Sequence, residues 1–513
     1  MPTLPPDIPS PSSRGTWWLI RLLVLAYAFN AFSLITPDND LWGKIAFGNQ
    51  IWSAGSIPLT NDHSFTAADY PFYNHEWLAD VIFYLIFSTW GSTGLLIFKM
   101  AIGLMVVNLL SSLYLRRGKS VIVYLFYFFF LIPVLAPGFM SRAHLFTILF
   151  LTLLVALLQY YYDGHKKTIY WIPPLILIWV NCHGGVLAGM GIFGAVTGVE
   201  WLRGRFKKES RGTPLLYVFL LSCAALFINP YGYKLLLFLK ETLSLPRQIG
   251  EWYPVPILNT SFMEFKIIAI LLILTIILPI KKRVWEIVIA AIAMVYAFKH
   301  QRHTVLAAVV VTPHIPVVLT HASKRWLTSL QKIQISPGLQ IFFHTLLVLL
   351  IGINLVMGLQ KNAANRFKII VEPQIYPSYA VQFMRANKVQ GNIWVPFDWG
   401  DYIIYKLPES KVSIDGRFRA AYPMDVLDEH WRFIEGRPGW ESVLEKYYTD
   451  YILTRRKDRT HVRLDRHPDW LKIYQDPIAF LYVRKTEPPG SIENQFIKNQ
   501  LNQPKDPPSF DFP

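Results

Sequence analysis

Between Val121 and Pro137 the chain reads VIVYLFYFFFLIPVLAP, uncharged throughout and punctuated only by two prolines. A run of that length cannot be hidden on a water-facing surface, but it suffices to cross a hydrocarbon core about 30 Å thick, which takes roughly 17 to 25 residues. The pattern recurs at Trp17–Ile35, Gly94–Leu115, Leu145–Tyr161, Ile169–Asn181, Gly185–Trp201, Pro214–Ile228, Phe265–Ile280, Trp285–Phe298, Thr304–Leu319 and Leu339–Met357. The expectation is a polytopic α-helical membrane protein of about eleven transmembrane helices. Composition agrees: 53% of residues are hydrophobic and 16% charged, and the mean hydropathy is +0.31. Soluble proteins carry roughly 25% charged residues. A soluble enzyme and a disordered chain are both excluded. The two cysteines, Cys182 and Cys223, lie in apolar surroundings and offer neither a disulfide framework nor a thiolate metal site.

A net charge of +16 would suit a nucleic-acid binder, and its placement decides otherwise. With the N-terminus inside, the short loops holding Arg116, Arg117, Lys119, Lys166, Lys167, Arg203, Arg205, Lys207, Lys208, Arg211, Lys281, Lys282, Arg283, Lys324, Arg325 and Lys332 all face the cytoplasm. Few cations fall on the other side: Lys44, Arg142, Lys234, Lys240, Arg247, Lys299 and Arg302. This is the asymmetry of an inner-membrane, multi-pass protein, so the charge sets orientation and no nucleic-acid partner is expected. The same pattern makes residues 76–90 an amphipathic helix on the outer surface, with Glu76 and Asp80 facing water, because counting it as a span would flip Arg116, Arg117 and Lys119 outward.

The expected layout is a disordered cytoplasmic N-terminus (1–16) and a transmembrane domain (17–359) with a long first outer loop (36–75). A C-terminal extracytoplasmic α/β domain (372–485) and a disordered tail rich in Pro, Asn and Gln (486–513) follow. Within the C-terminal domain, Gly391–Phe397, Lys411–Ile414, Tyr451–Arg455 and Ala479–Val483 alternate as strands, and Ser378–Asn387, Met424–Glu435 and Trp440–Tyr448 have helical periodicity.

Chemistry-bearing residues gather on the outer face. The first loop holds Asp38, Asp40, His63, His75 and Glu76; other outer edges add Arg142, His144, His183, Lys234, Glu251, Trp252, Arg302 and His303. Polar groups at a membrane boundary are costly unless they line a wet cavity. Simpler roles compete: Asp40 precedes an apolar-periodic run ending near Gly55 and Pro58 and could serve only as a helix cap, and the histidines could be satisfied interfacial side chains. No HxxxH or HxH spacing fixes a metal site, so a divalent metal is possible but not favoured, and no cofactor is certain.

A first span, the acidic pair Asp38 and Asp40, a helix ending in Gly-x-x-Pro (Gly55–Pro58) and a surface helix before the next span resemble the GT-C superfamily, whose members transfer sugars from polyprenyl-phosphate carriers. The segment PFDWGDYIIYKLPESKVSIDGR resembles the WWDYG region of oligosaccharyltransferase catalytic subunits, with Asp398 and Gly400 taking that motif's Asp and Gly; Pro396 and Phe397 stand where the tryptophans would be. Arg142 and His144 occupy the place where oligosaccharyltransferases carry metal-binding acids, which looks more like the metal-independent branches. The resemblance implies an integral membrane glycosyltransferase working on the outer face with inversion. Asp40, with Asp38 beside it, would be the base, and Arg142, Arg302 and Lys234 would hold the donor phosphate. His63, His75, Glu76, His144, His183, Glu251, Trp252 and His303 would line the cavity. Asp398, Trp399, Gly400, Asp415 and Arg417 would sit on the acceptor side. Its partners would be a polyprenyl-phosphate-linked sugar, a glycan, lipid or protein acceptor, and membrane lipids. A transporter or flippase for a lipid-linked glycan, or a non-catalytic assembly protein on the same scaffold, are the alternatives; mid-span charges are nearly absent and no internal repeat is evident, which disfavours transport.

Overall fold

The computed structural model describes residues 11–118, 120–206, 212–244, 250–327, 336–364, 366–485, 492–504, 507–508 and 510–512. Residues 1–10 of the N-terminal tail, and the loop cations Lys119, Lys207, Lys208, Arg211, Arg247 and Lys332, lie outside the described residues. The chain divides into two compact units: residues 1–34, 97–232 and 243–366 form one, and residues 35–96, 233–242 and 367–513 the other.

The first unit is helical. Among the described residues six helices are long and apolar enough to cross a membrane, Gly15–Phe32, Trp77–Arg117, Val121–Gly138, His144–Tyr162, Val186–Arg205 and Pro337–Ala363; the first limb of Trp77–Arg117 belongs to the second unit. A seventh span arises if Gln301–Val311 and Ile315–Ser323, bent by 49°, count as one. The remaining apolar stretches fold as shorter helices, Ile172–Cys182, Gly212–Ala225, Met263–Ile277 and Val284–Lys299. The expected surface helix and the span after it form one element, Trp77–Arg117, broken at Gly91, whose φ of 61° most residues avoid. Several polar side chains inside this unit satisfy one another, which offsets the cost of burying them. Arg21 donates to Asn108 and Ser112, and Glu286 accepts from Arg117 (2.8 Å) and Gln159 (3.0 Å).

The second unit is built on a five-stranded sheet: β1 (Asn392–Trp394), β2 (Lys411–Val412), β3 (Tyr451–Arg455), β4 (Trp470–Gln475) and β5 (Ala479–Arg484), in the order β2-β1-β3-β5-β4. β1 runs parallel to β2 and β3, and β5 runs antiparallel to β3 and β4. Four of the strands fall where alternation placed them. β4 did not read as a strand because Lys472 and Gln475 interrupt its apolar face. The helices Ser378–Ala386, Met424–Ile434 and Trp440–Lys446 match their expected periods within about two residues.

The first loop belongs to this sheet. His63 carbonyl accepts the Val412 N–H at 2.9 Å, Phe65 N–H donates to Val412 carbonyl at 3.2 Å, and Ser64 bridges Val412 in parallel. Its first helix, Asp40–Ala54, ends as expected at Gly55, which takes the left-handed conformation (φ 62°) that closes a helix.

In the tail expected to be disordered, the described residues include ordered elements. Ile492–Ile497 is helical, Ile370 pairs with Asp511, and Phe512 is 2% exposed and stacks on Trp42 with ring centroids 4.1 Å apart. Two aromatic residues, Phe510 and Phe512, give this polar stretch an apolar anchor that composition averages away. Truncating a buried Phe costs roughly 3–5 kcal/mol. Phe512→Ala should therefore lower the unfolding temperature of the detergent-solubilised protein clearly, whereas the exposed Ile497→Ala should leave it unchanged.

Candidate active site

The acidic pair opens the helix Asp40–Ala54. Asn39, not Asp40, occupies the cap position, and Asp40 is the first helical residue. The capping carboxylate is that of Asp38, which accepts the Asp40 backbone N–H at 3.1 Å and so satisfies an otherwise orphaned donor. Asn39 in turn accepts a hydrogen bond from Tyr376 at 2.8 Å. Asp40 is half-buried.

One turn further on, Lys44 ties the acidic start to the next segment. Its ammonium pairs with Glu76 and lies 3.2 Å from Asp80. Burial alone would lower its pKa, but the charges of Asp80, Glu76 and Asp40 outweigh that and hold it well above the ordinary lysine value. Glu76 and Asp80 therefore do not face water as expected. Asp80 is fully buried and also accepts from Asn74 at 2.9 Å, because a carboxylate beside a buried ammonium is cheaper inside than alone. His75 lies 3.5 Å from Glu76 and against the Phe238 ring.

Asp415 and Arg417, from the turn after β2, form a buried ion pair. Asp415 accepts from Arg417 Nε (2.8 Å), Nη2 (2.7 Å) and backbone N–H (3.0 Å), and from Tyr422 (2.6 Å). Arg417 also donates to Asn61 at 2.6 Å and stacks over Phe47 and Phe72. Burial would raise the Asp415 pKa, but Arg417 holds it below the usual carboxylate range. His63, which bonds Gln50 at 3.1 Å, is pushed down to about 4 by burial and by Arg417, so it is a neutral imidazole at physiological pH.

Asp398 and Trp399 stand slightly apart. Asp398 is exposed and pairs with Arg455 at 2.5 Å, and Trp399 donates to Ile375 carbonyl at 2.8 Å. Gly400 leaves no room for a side chain, since a Cβ would collide with Ile414 carbonyl and approach Asp415. The carboxylate that turns toward the acidic loop is instead Asp401. A Cβ on Gly43 would stand 2.6 Å from its Oδ1, and one on Gly416 would collide with its Oδ2 and lie 3.0 Å from Asp40 Oδ1. The two glycines are what allow these acids to approach. Sequence reasoning named the segment and missed Asp401, although it follows Asp398 by three residues.

In the first unit, Arg142 and Arg302 converge on one carboxylate. Glu251 accepts from Arg142 at 3.2 Å and lies 3.2 Å from Arg302, which stacks over the Trp252 ring at 4.7 Å. His300 donates to Trp252 carbonyl from Nδ1 (2.8 Å), and His303 lies against both rings. His144 and His183 face each other with ring centroids 5.6 Å apart. His183 Nδ1 accepts the Gly185 N–H at 2.9 Å, which leaves the neutral ring's proton on Nε2. Lys234 belongs to the other unit, exposed on the helix Tyr233–Ser244. Among the described residues no group of three or more His, Cys, Asp or Glu side chains is arranged to hold a metal ion.

No family model and no characterised protein matches the sequence itself. Solved structures do match the fold. The Archaeoglobus fulgidus oligosaccharyltransferase in its apo form is 13% identical, with a TM-score of 0.59 over 86% of this chain and 70% of that one. AglB of the same organism, solved with an inhibitory peptide and a dolichol-phosphate, is 12% identical, with a TM-score of 0.58 over 93% and 76%. ArnT from Cupriavidus metallidurans in the apo state is 11% identical, with a TM-score of 0.51 over 92% and 98%. The chain shares the fold of these solved structures. It is a mostly helical multi-pass membrane protein with a small C-terminal sheet.

Proposed function

We propose that the protein transfers a sugar from a polyprenyl-phosphate-linked donor to an acceptor on the outer face of the cytoplasmic membrane, with inversion. The observation that carries this reading is the half-buried acidic helix start at Asp38 and Asp40, with the Lys44 charge one turn away, within a GT-C fold. AglB, a structural neighbour, was solved with a dolichol-phosphate, which supports a lipid-phosphate donor here.

The chemistry assigns roles. The acceptor hydroxyl must lose its proton as it attacks the anomeric carbon, and Asp40 takes it, with Asp38 fixing the local backbone. The C–O bond to the carrier phosphate breaks as the new glycosidic bond forms, and the departing phosphate carries the electron pair. Arg142 and Arg302 hold that phosphate through guanidinium forks that match its oxygens. Glu251 occupies the same forks in the structure, so an incoming phosphate exchanges one anion for another. Lys234 supplies a further exposed cation, and the excess of basic residues on the short loops supports an N-terminus in the cytoplasm and a sheet outside.

The test is carrier binding. In nanodiscs, undecaprenyl phosphate and dolichyl phosphate should bind the wild type and lose at least on the order of a hundredfold affinity in Arg142→Gln/Arg302→Gln, from two charge-assisted contacts of about 1.5–3 kcal/mol each. Equal affinity in the double variant would remove the phosphate role from these arginines.

A further inference from the structure

Asp401 sits in the first turn of the short helix Gly400–Lys406, 4% exposed, and among the described residues its Oδ1 has no hydrogen-bond partner. Two of the elements packed around it bring charge. The helix Asp40–Ala54 brings Asp40 and Lys44, and the turn after β2 brings Asp415, Arg417 and Tyr422. Most of these groups are engaged with each other. Arg417 is shared between Asp415 and Asn61, and Lys44 between Glu76 and Asp80. Asp401 Oδ2 and Asp40 Oδ1 share the space over the bare Cα of Gly416.

An enclosed carboxyl beside other carboxylates is costly to ionise, which favours its protonated form. Burial first, and the charges of Asp415 and Asp40 next, push Asp401 well above the ordinary carboxylate range, so Asp401 is the member that keeps the proton. A protonated carboxyl is a donor, whereas an ionised one can only accept.

We propose that Asp401 is a positioning residue for Asp40: as a neutral carboxylic acid it donates toward the Asp40 carboxylate and holds it in the orientation that meets the acceptor hydroxyl. This rests on the reading of Asp40 as base. It also gives the segment PFDWGDYI a role in the base itself, through Asp401, rather than in acceptor recognition through Asp398.

The experiment is an infrared pH titration of the full-length protein in nanodiscs, without substrate, following the carbonyl stretch of protonated carboxyl groups. At neutral pH the wild type should show a protonated-acid band that Asp401→Asn removes and Asp398→Asn leaves intact. In Asp40→Asn, which withdraws a neighbouring negative charge, that band should disappear at lower pH than in the wild type. Sugar transfer supplies the second readout, from a panel of undecaprenyl-phosphate-linked sugars, measured as undecaprenyl phosphate released. Asp401→Asn keeps a donor toward Asp40 and should retain transfer, whereas Asp401→Ala should fall at least on the order of tenfold below it. A band that survives Asp401→Asn, or that titrates identically with and without Asp40, overturns the proposal. Full transfer by Asp40→Asn overturns the base reading beneath it, and the two failures are separable because the infrared titration needs no donor.

Discussion

Asp40→Asn is expected to reduce sugar transfer by on the order of 10²- to 10⁴-fold, the usual worth of a positioned general base, while leaving the folded protein and its carrier binding intact. The substitution keeps the size of the side chain and removes the proton acceptor. The helix start should survive it, because the cap on that helix is the Asp38 carboxylate on the Asp40 backbone N–H, which an asparagine at position 40 retains. The check is release of undecaprenyl phosphate from a lipid-linked sugar beside binding of undecaprenyl phosphate by the same preparation. Loss of turnover with binding unchanged is the expected split. Loss of both would point to a structural role for Asp40.

Lys44→Met should produce the largest loss of stability. Lys44 is buried between Glu76 and Asp80, and Asp80 is completely enclosed. Removing one partner of a buried ion pair costs roughly 3–5 kcal/mol, because the remaining charge has neither water nor counter-ion. The unfolding temperature of the solubilised protein should fall accordingly, and Lys44→Met/Glu76→Gln should recover part of the loss by deleting one stranded carboxylate. A Lys44→Met protein as stable as the wild type would mean that these acids find solvent after all. The effect reaches function as well, since Lys44 sits one turn from Asp40 and contributes positive charge beside it.

What the sequence disclosed and what it withheld divide along a physical line. Apolar runs, the alternation of Tyr451–Arg455 and Ala479–Val483, and the helix closed by Gly55 are local patterns, and local patterns survive reading along the chain. Asp38, Asp40, Arg142 and Arg302 could be singled out because charge is rare among their neighbours. Their partners could not. That Lys44 answers Asp80, that Glu251 bridges two arginines, and that Asp401 returns to Asp40 across some 360 positions of chain are tertiary facts with no periodic signature. Two glycines, Gly43 and Gly416, make the last approach possible, and a glycine in a sequence does not say what it makes room for. The same holds for Phe512, which lies in a Pro-rich polar tail and nonetheless closes over Trp42.

Sugar transfer with Asp40 as base has a direct readout in cells. The measurement is mass spectrometry of envelope glycans and glycoconjugates from a strain lacking the gene, complemented in parallel with the wild type and with Asp40→Asn at equal membrane abundance. One sugar missing from a defined glycan in the deletion strain should return with the wild-type protein and stay missing with Asp40→Asn. Restoration of that sugar by Asp40→Asn, or glycans identical with and without the gene, would contradict that reading.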